Sequence, residues 1–109
     1  MKQYVKMLSY LGLAQRAGKL VSGDESVMKA IRNQSAQLVF VATDASDLAK
    51  KKYRDKCKFY HIPVIELLPR HELGSTIGKQ ERVVLALLDN GLSMLIRKEL
   101  LNHTEVESH

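Results

Sequence analysis

Apolar residues recur along this chain in two ways: at helical spacing of about 3.6 residues, and in short unbroken runs. Tyr4, Leu8 and Leu11, with Met7 and Ala14, follow the helical spacing, and Gly18 is placed to end that helix. Leu20-Val21 is a short strand candidate, followed by a tight turn at Gly23. A second helix then carries Glu25, Lys29, Arg32 and Asn33 on one polar face, with Val27 and Ile31 on another. Ser22 and Glu25 have the spacing of a capping box at its start. Leu38 to Ala42 is a continuous apolar run rich in β-formers, which predicts a strand covered on both faces. Thr43 to Ser46 turns the chain into a helix from about Asp47 to Tyr60, with Ala49, Tyr53, Cys57 and Tyr60 along one stripe.

Ile62-Pro63 breaks that helix and opens a strand from Val64 to Leu67. A short helix containing His71 to Leu73 follows Pro69, and Gly74 to Lys79 form a glycine-bearing loop. Val83 to Leu88 is the clearest buried strand. Asp89-Asn90-Gly91 opens a closing helix with Leu92, Leu95, Ile96 and Leu100 on its apolar side, and Asn102 to His109 read as a polar, frayed tail. Helices alternating with buried strands predict a single α/β domain over residues 1–101, with helices on both sheet faces and neither repeat nor linker.

A chain of 109 residues with 45% hydrophobic content suits one ordinary globular core. Its 17 Lys and Arg against 12 Asp and Glu leave a net charge of +5, which attracts polyanions. The lone Cys57 excludes an internal disulfide and suits a reducing compartment. Lys2 and Lys6 interrupt the start of the chain where a signal peptide would be apolar, and no run approaches the ~20 apolar residues of a membrane span. The expectation is a cytoplasmic protein without a membrane partner, for which the sequon Asn102-His103-Thr104 carries no meaning.

The Gly23 turn holds the most chemistry. A helix start offers unpaired N–H groups and a partial positive charge to an anion such as phosphate. Glu25 can cap the helix, accept from a base edge, or do both, while Lys29 and Arg32 can reach phosphates or form a solvated face. Lys50-Lys51-Lys52, with Arg54, Lys56 and Lys58, is the densest charge; it reads as a solubilising face that also adds long-range attraction for a polyanion.

Gly74 to Lys79 looks superficially like a phosphate-binding loop. It is one residue short, Gln80 stands where Ser or Thr would hold magnesium, and a helix rather than a strand precedes it, so no nucleotide cofactor is expected. Cys57 and His61 are four apart without a second pair of ligands, which argues against structural zinc. His71, His103 and His109 are scattered, and no catalytic set is suggested. Tyr4, Tyr10, Tyr53 and Tyr60 read as partial core residues rather than a stacking platform.

Taken in order, Leu11 to Lys19, Ser22-Gly23 with Lys29, Val41 to Ser46, Cys57 to Val64 and Leu73 to Lys79 resemble the kink-turn-binding large-subunit ribosomal proteins, the seven-Ae and thirty-e superfamily. The likeness runs from about Leu11 to Ile96 and is nearest to the small bacterial members of that family. It implies a three-layer α/β/α sandwich with a mixed four-stranded sheet. It also implies a non-enzymatic, ribosomal-protein-like function: binding structured RNA that bends at a bulge beside tandem sheared G·A pairs.

The family's Gly-x-Asn-Glu-x-x-Lys motif falls on Gly23 to Lys29, so Gly23 and Lys29 match and Glu25-Ser26 replace Asn-Glu. Ionised Glu25 only accepts, whereas Asn also donates. The family's apolar triplet before the last strand falls on Lys79, Gln80 and Glu81, which are polar, so a phosphate contact by Lys79 or Arg82 takes the place of an apolar wedge. The RNA-binding set implied is Lys19, Gly23, Asp24, Glu25, Ser26, Lys29, Arg32, Lys79, Gln80, Glu81 and Arg82, with no metal and no cofactor. The expected partner is a structured RNA, ribosomal or another kink-turn, bound by a monomer. The replaced Asn-Glu pair leaves the alternative of a protein–protein adaptor on the same fold.

Overall fold

The computed structural model describes residues 4–107, with side chains through residue 102. The readings placed on Met1 to Gln3 and on Ser108 and His109 lie outside the described residues. In chain order the elements are α1 (Val5–Arg16), β1 (Leu20–Ser22), α2 (Asp24–Arg32), β2 (Leu38–Val41), α3 (Asp47–Phe59), β3 (Val64–Glu66), α4 (Arg70–Ser75), β4 (Val84–Leu87) and α5 (Asn90–Glu107).

These strands form one mixed four-stranded sheet in the order β1-β4-β2-β3. β4 pairs antiparallel with both β1 and β2, and β2 pairs parallel with β3 through the α3 crossover. Every position of β2 and β4 is buried, so both faces of the sheet centre are covered. α2 packs on β1 and β4, α3 packs on β2 and β3, and α1 and α5 pack on each other. The result is the three-layer α/β/α sandwich. Phe40, Leu38, Leu85 and Leu87 fill its middle layer, with Met7, Leu11, Ile31, Tyr53 and Ile96 supplied by the helices. Among the described residues no helix is long and apolar enough to cross a membrane.

The helix ends explain several spacings in the sequence. α1 closes with the Lys19 N–H on the Ala14 carbonyl and Gly18 at φ 70°. α2 and α3 end in the same motif, but Gln34 (φ 63°) and His61 (φ 59°) occupy the left-handed position that glycine usually takes. The Ile62 N–H bonds the Cys57 carbonyl at 2.8 Å. The Cys57 and His61 spacing therefore belongs to a helix terminus.

Two expectations change. Leu95, expected on the inner side of α5, is 44% exposed, because Leu92, Ser93, Ile96 and Leu100 already define the inward face. The α5 backbone also remains helical through Glu107, where a frayed tail was expected from Asn102; that segment contains neither Gly nor Pro to stop it.

Candidate functional site

Gly23 sits between the last residue of β1 and the first of α2, with φ 91° and ψ 155°. That backbone conformation is strongly disfavoured for residues with a Cβ. Its N–H bonds the Val84 carbonyl at 3.1 Å, and its own carbonyl receives the Val27 N–H at 3.0 Å. The first intrahelical bond is thus made by Val27, and no side chain caps the helix start. The N–H groups of Asp24, Glu25 and Ser26 have no intrahelical partner and point outward along the helix axis.

The expected capping box is absent. Ser22 lies in β1, paired with Leu85, and its Oγ accepts from Arg82 Nε at 3.1 Å. Pairing to the sheet holds Ser22 too far back to cap α2, and the cap position passes to Gly23. Glu25 is exposed, as are Ser26 and Lys29.

The Ser22–Arg82 bond also joins two segments 60 residues apart. Ser22, Gly23, Asp24, Tyr53, Glu81 and Arg82 line one cleft of about 580 Å³. The loop bearing Glu81 and Arg82 is fixed from behind. The Lys79 N–H bonds the Gly74 carbonyl at 3.0 Å, and the Arg82 N–H bonds the Arg70 carbonyl at 3.0 Å. Arg70 is itself held by Asp44, whose Oδ1 accepts the Arg70 backbone N–H at 2.9 Å. That bond holds the Asp44 carboxyl below the usual range.

A Cβ placed on Gly74 would stand 1.5 Å from the Gln80 carbonyl oxygen. The glycine segment is therefore a helix end in close backbone contact with the loop it supports, rather than an open cradle for a nucleotide. Among the described residues no three His, Cys, Asp or Glu side chains gather at a site that could hold a metal ion.

Asp24 is held by side chains of α3. Its Oδ1 accepts from Lys52 Nζ at 2.6 Å and from the Tyr53 hydroxyl. The Lys52 hydrogen bond first, then the Tyr53 hydrogen bond, hold its carboxyl below the usual range. Burial, followed by the Asp24 hydrogen bond, pushes the Tyr53 hydroxyl up, so it stays protonated and donating. Asp24 thus links α2 to α3, and its negative charge beside the cleft is answered by Lys52. Lys52 and Tyr53 are 28 and 29 residues from Asp24, and no local pattern in the sequence marks the link.

The expected set divides by position. Gly23, Asp24, Glu81 and Arg82 meet in the first cleft. Ser26 and Lys29 line a second groove of about 300 Å³ with Asn33 on the other flank of α2. Lys19 lies at that flank, where its carbonyl accepts the Leu88 N–H at 2.8 Å. Arg32 stands at the far end of α2, while Lys79 and Gln80 are exposed on the supported loop without lining either cavity.

Comparison with known proteins shows which family the chain falls in. The family described as "Ribosomal protein L7Ae/L30e/S12e/Gadd45 family" matches residues 5–96. The chain is 46% identical over 88 residues to the RNA-binding protein YlxQ of Enterococcus faecium, covering 81% of this chain and 84% of that one. It is 33% identical over 93 residues to the large ribosomal subunit protein eL30 of Tetrahymena thermophila, covering 84% and 89%. A solved structure of a protein of unknown function from Bacillus halodurans C superposes with a TM-score of 0.83 at 46% identity, covering 86% of this chain and 95% of that chain. By the match over residues 5–96, this chain belongs to the L7Ae/L30e/S12e/Gadd45 ribosomal protein family.

Proposed function

We propose that this protein is a non-enzymatic, cytoplasmic RNA-binding protein of the ribosomal type that acts as a monomer and recognises the bend of a kink-turn. The observation that carries the reading is the Arg82–Ser22 hydrogen bond of 3.1 Å, which sets the Gly23 helix start and the loop before β4 side by side. The open N–H groups at the start of α2 receive a phosphate in the crook of the bend. Lys19, Lys29 and Arg32 take phosphates on one side of α2, and Lys79 and Arg82 take them on the other. Glu25 accepts a guanine N–H and Ser26 donates or accepts at the base edge. Asp24 binds no base in this reading: it fixes the angle between α2 and α3. The chain's family and its likeness to proteins named as RNA-binding support the assignment.

The test is a titration of a kink-turn RNA and of a fully paired duplex of the same length, each at two salt concentrations. With five phosphate contacts, log affinity for the kink-turn falls against log salt with a slope of about −3.5 to −4.5. The duplex binds more weakly at both concentrations. Equal affinity for the two RNAs would leave only unspecific attraction by a basic protein. A partner that survives nuclease treatment in a pull-down, with no RNA affinity at low salt, would instead favour the adaptor reading.

A further inference from the structure

Phe59 is 75% exposed at the end of α3. A single surface phenylalanine needs no explanation; this one has a built surround. Lys52, Asp55, Lys56, Phe59 and Tyr60 line a hollow of about 460 Å³. The Tyr60 ring stands edge-on to Phe59, with centroids 4.9 Å apart and planes at 81°, which leaves Phe59 braced from the side. The one carboxylate in the hollow, Asp55, is engaged by Lys51 at 2.7 Å, and that hydrogen bond holds its carboxyl below the usual range. Lys56 is exposed beside it.

α3 carries six cations (Lys50, Lys51, Lys52, Arg54, Lys56, Lys58) against two carboxylates (Asp47, Asp55), a net +4 by count. The whole chain carries +5, so the charge excess is concentrated on this helix. Lys52 belongs to both surfaces: it lines the hollow and bonds Asp24 at the edge of the cleft described above. Lys52 and Phe59 are seven residues apart, about 10 Å along the helix. An aromatic face for a base, cations for the adjoining phosphates and continuity with the cleft together fit single-stranded nucleic acid. An acidic protein segment would match the charge, but it would not account for the continuity with the cleft.

We propose that α3 forms an RNA track extending from the kink-turn cleft, on which Lys56 holds a phosphate and Phe59 stacks an unpaired nucleotide outside the bend. This rests on the kink-turn reading for its starting point, and the experiment separates the two. Four RNAs are used: a minimal kink-turn, the same RNA with a single-stranded extension on one strand or on the other, and a short single strand alone carrying 2-aminopurine.

The wild-type protein binds one of the extended RNAs more tightly than the minimal one, and Phe59→Ala removes that gain, a loss of roughly five- to a hundredfold. The same variant binds the minimal kink-turn as the wild type does, with an unchanged thermal midpoint. The single strand alone shows quenched 2-aminopurine fluorescence with the wild type and not with Phe59→Ala, whatever the kink-turn result. Lys56→Glu weakens both the extended RNA and the single strand. The track is overturned if both variants bind the extended RNAs and the single strand like the wild type. It is equally overturned if Phe59→Ala loses a nuclease-resistant protein partner while keeping full affinity for extended RNA.

Discussion

Glu25 shows how one residue's role depends on its neighbour. The Ser22-x-x-Glu25 spacing fits a capping box, yet Ser22 is committed to β1 and to Arg82, so Glu25 has no cap to complete. Glu25→Ala is therefore expected to move the thermal midpoint by no more than about 2–4 °C, since exposed substitutions away from such features stay within about 0.5 kcal/mol. The same change lowers the preference for kinked over plain RNA by ~1–3 kcal/mol if the base contact is made. A fall in stability with the preference intact would return Glu25 to a capping role.

Cys57 is the contrasting case. It is fully buried, and burial pushes its thiol up from 9.0 to about 11. The neutral thiol is thus favoured in the folded state. Below pH 9 both folded and unfolded chains keep the proton; between about pH 9 and 11 the unfolded chain ionises first, and this group's share of stability is lost as pH rises. At pH 8 the native protein resists iodoacetamide over times that alkylate the denatured chain completely. Equal labelling rates would show the thiol to be open.

At the scale of elements, the loop before β4 is placed by α4, and Gly74 is the contact that permits it. Gly74→Ala forces a Cβ to within 1.5 Å of a carbonyl oxygen and 3.2 Å of the Arg82 nitrogen, so backbone must move. A loss of about 2–3 kcal/mol is expected, together with weaker RNA binding as Arg82 leaves Ser22. Gly12→Ala is the matched control: in α1 the new methyl meets Thr76 and Arg16 at 3.5 and 3.6 Å, ordinary contacts, and helix propensity gains roughly 0.5–1 kcal/mol. Denaturant midpoints of the two variants should move in opposite directions; a shared sign would remove Gly74 as the support of the loop.

The elements were legible because their signals are local. Leu38 to Ala42 and Val83 to Leu88 announced strands buried on both faces, and the Ala49, Tyr53, Cys57 and Tyr60 stripe announced the inner side of α3; the structure shows β2, β4 and a buried Tyr53 and Cys57. The Gly23 turn was equally visible from its position between strand and helix. What stayed hidden depends on contacts between distant residues. The hold of Lys52 and Tyr53 on the Asp24 carboxylate spans 28 and 29 residues. Gly74 read as part of a loop motif, while its close approach to Gln80 exists only once α4 has folded against the loop. The Phe59 hollow has no local signal in the sequence, because the exposure of an aromatic is set only once the helix is placed.

For the whole molecule, the sandwich acts as a frame that presents two noncontiguous segments on one surface. β1 and β2 both pair with β4, so the turn after β1 and the loop before β4 are brought to the same edge by the sheet order itself. Charge is distributed unevenly over that frame, with α3 carrying much of the excess next to the cleft. The most direct test records backbone amide shifts of the labelled protein during titration with a kink-turn RNA. The account predicts that amides from Gly23 to Lys29 and from Lys79 to Arg82 move together and saturate at one stoichiometric ratio. Movement of only one segment, or of α5 instead of either, would contradict a shared RNA face.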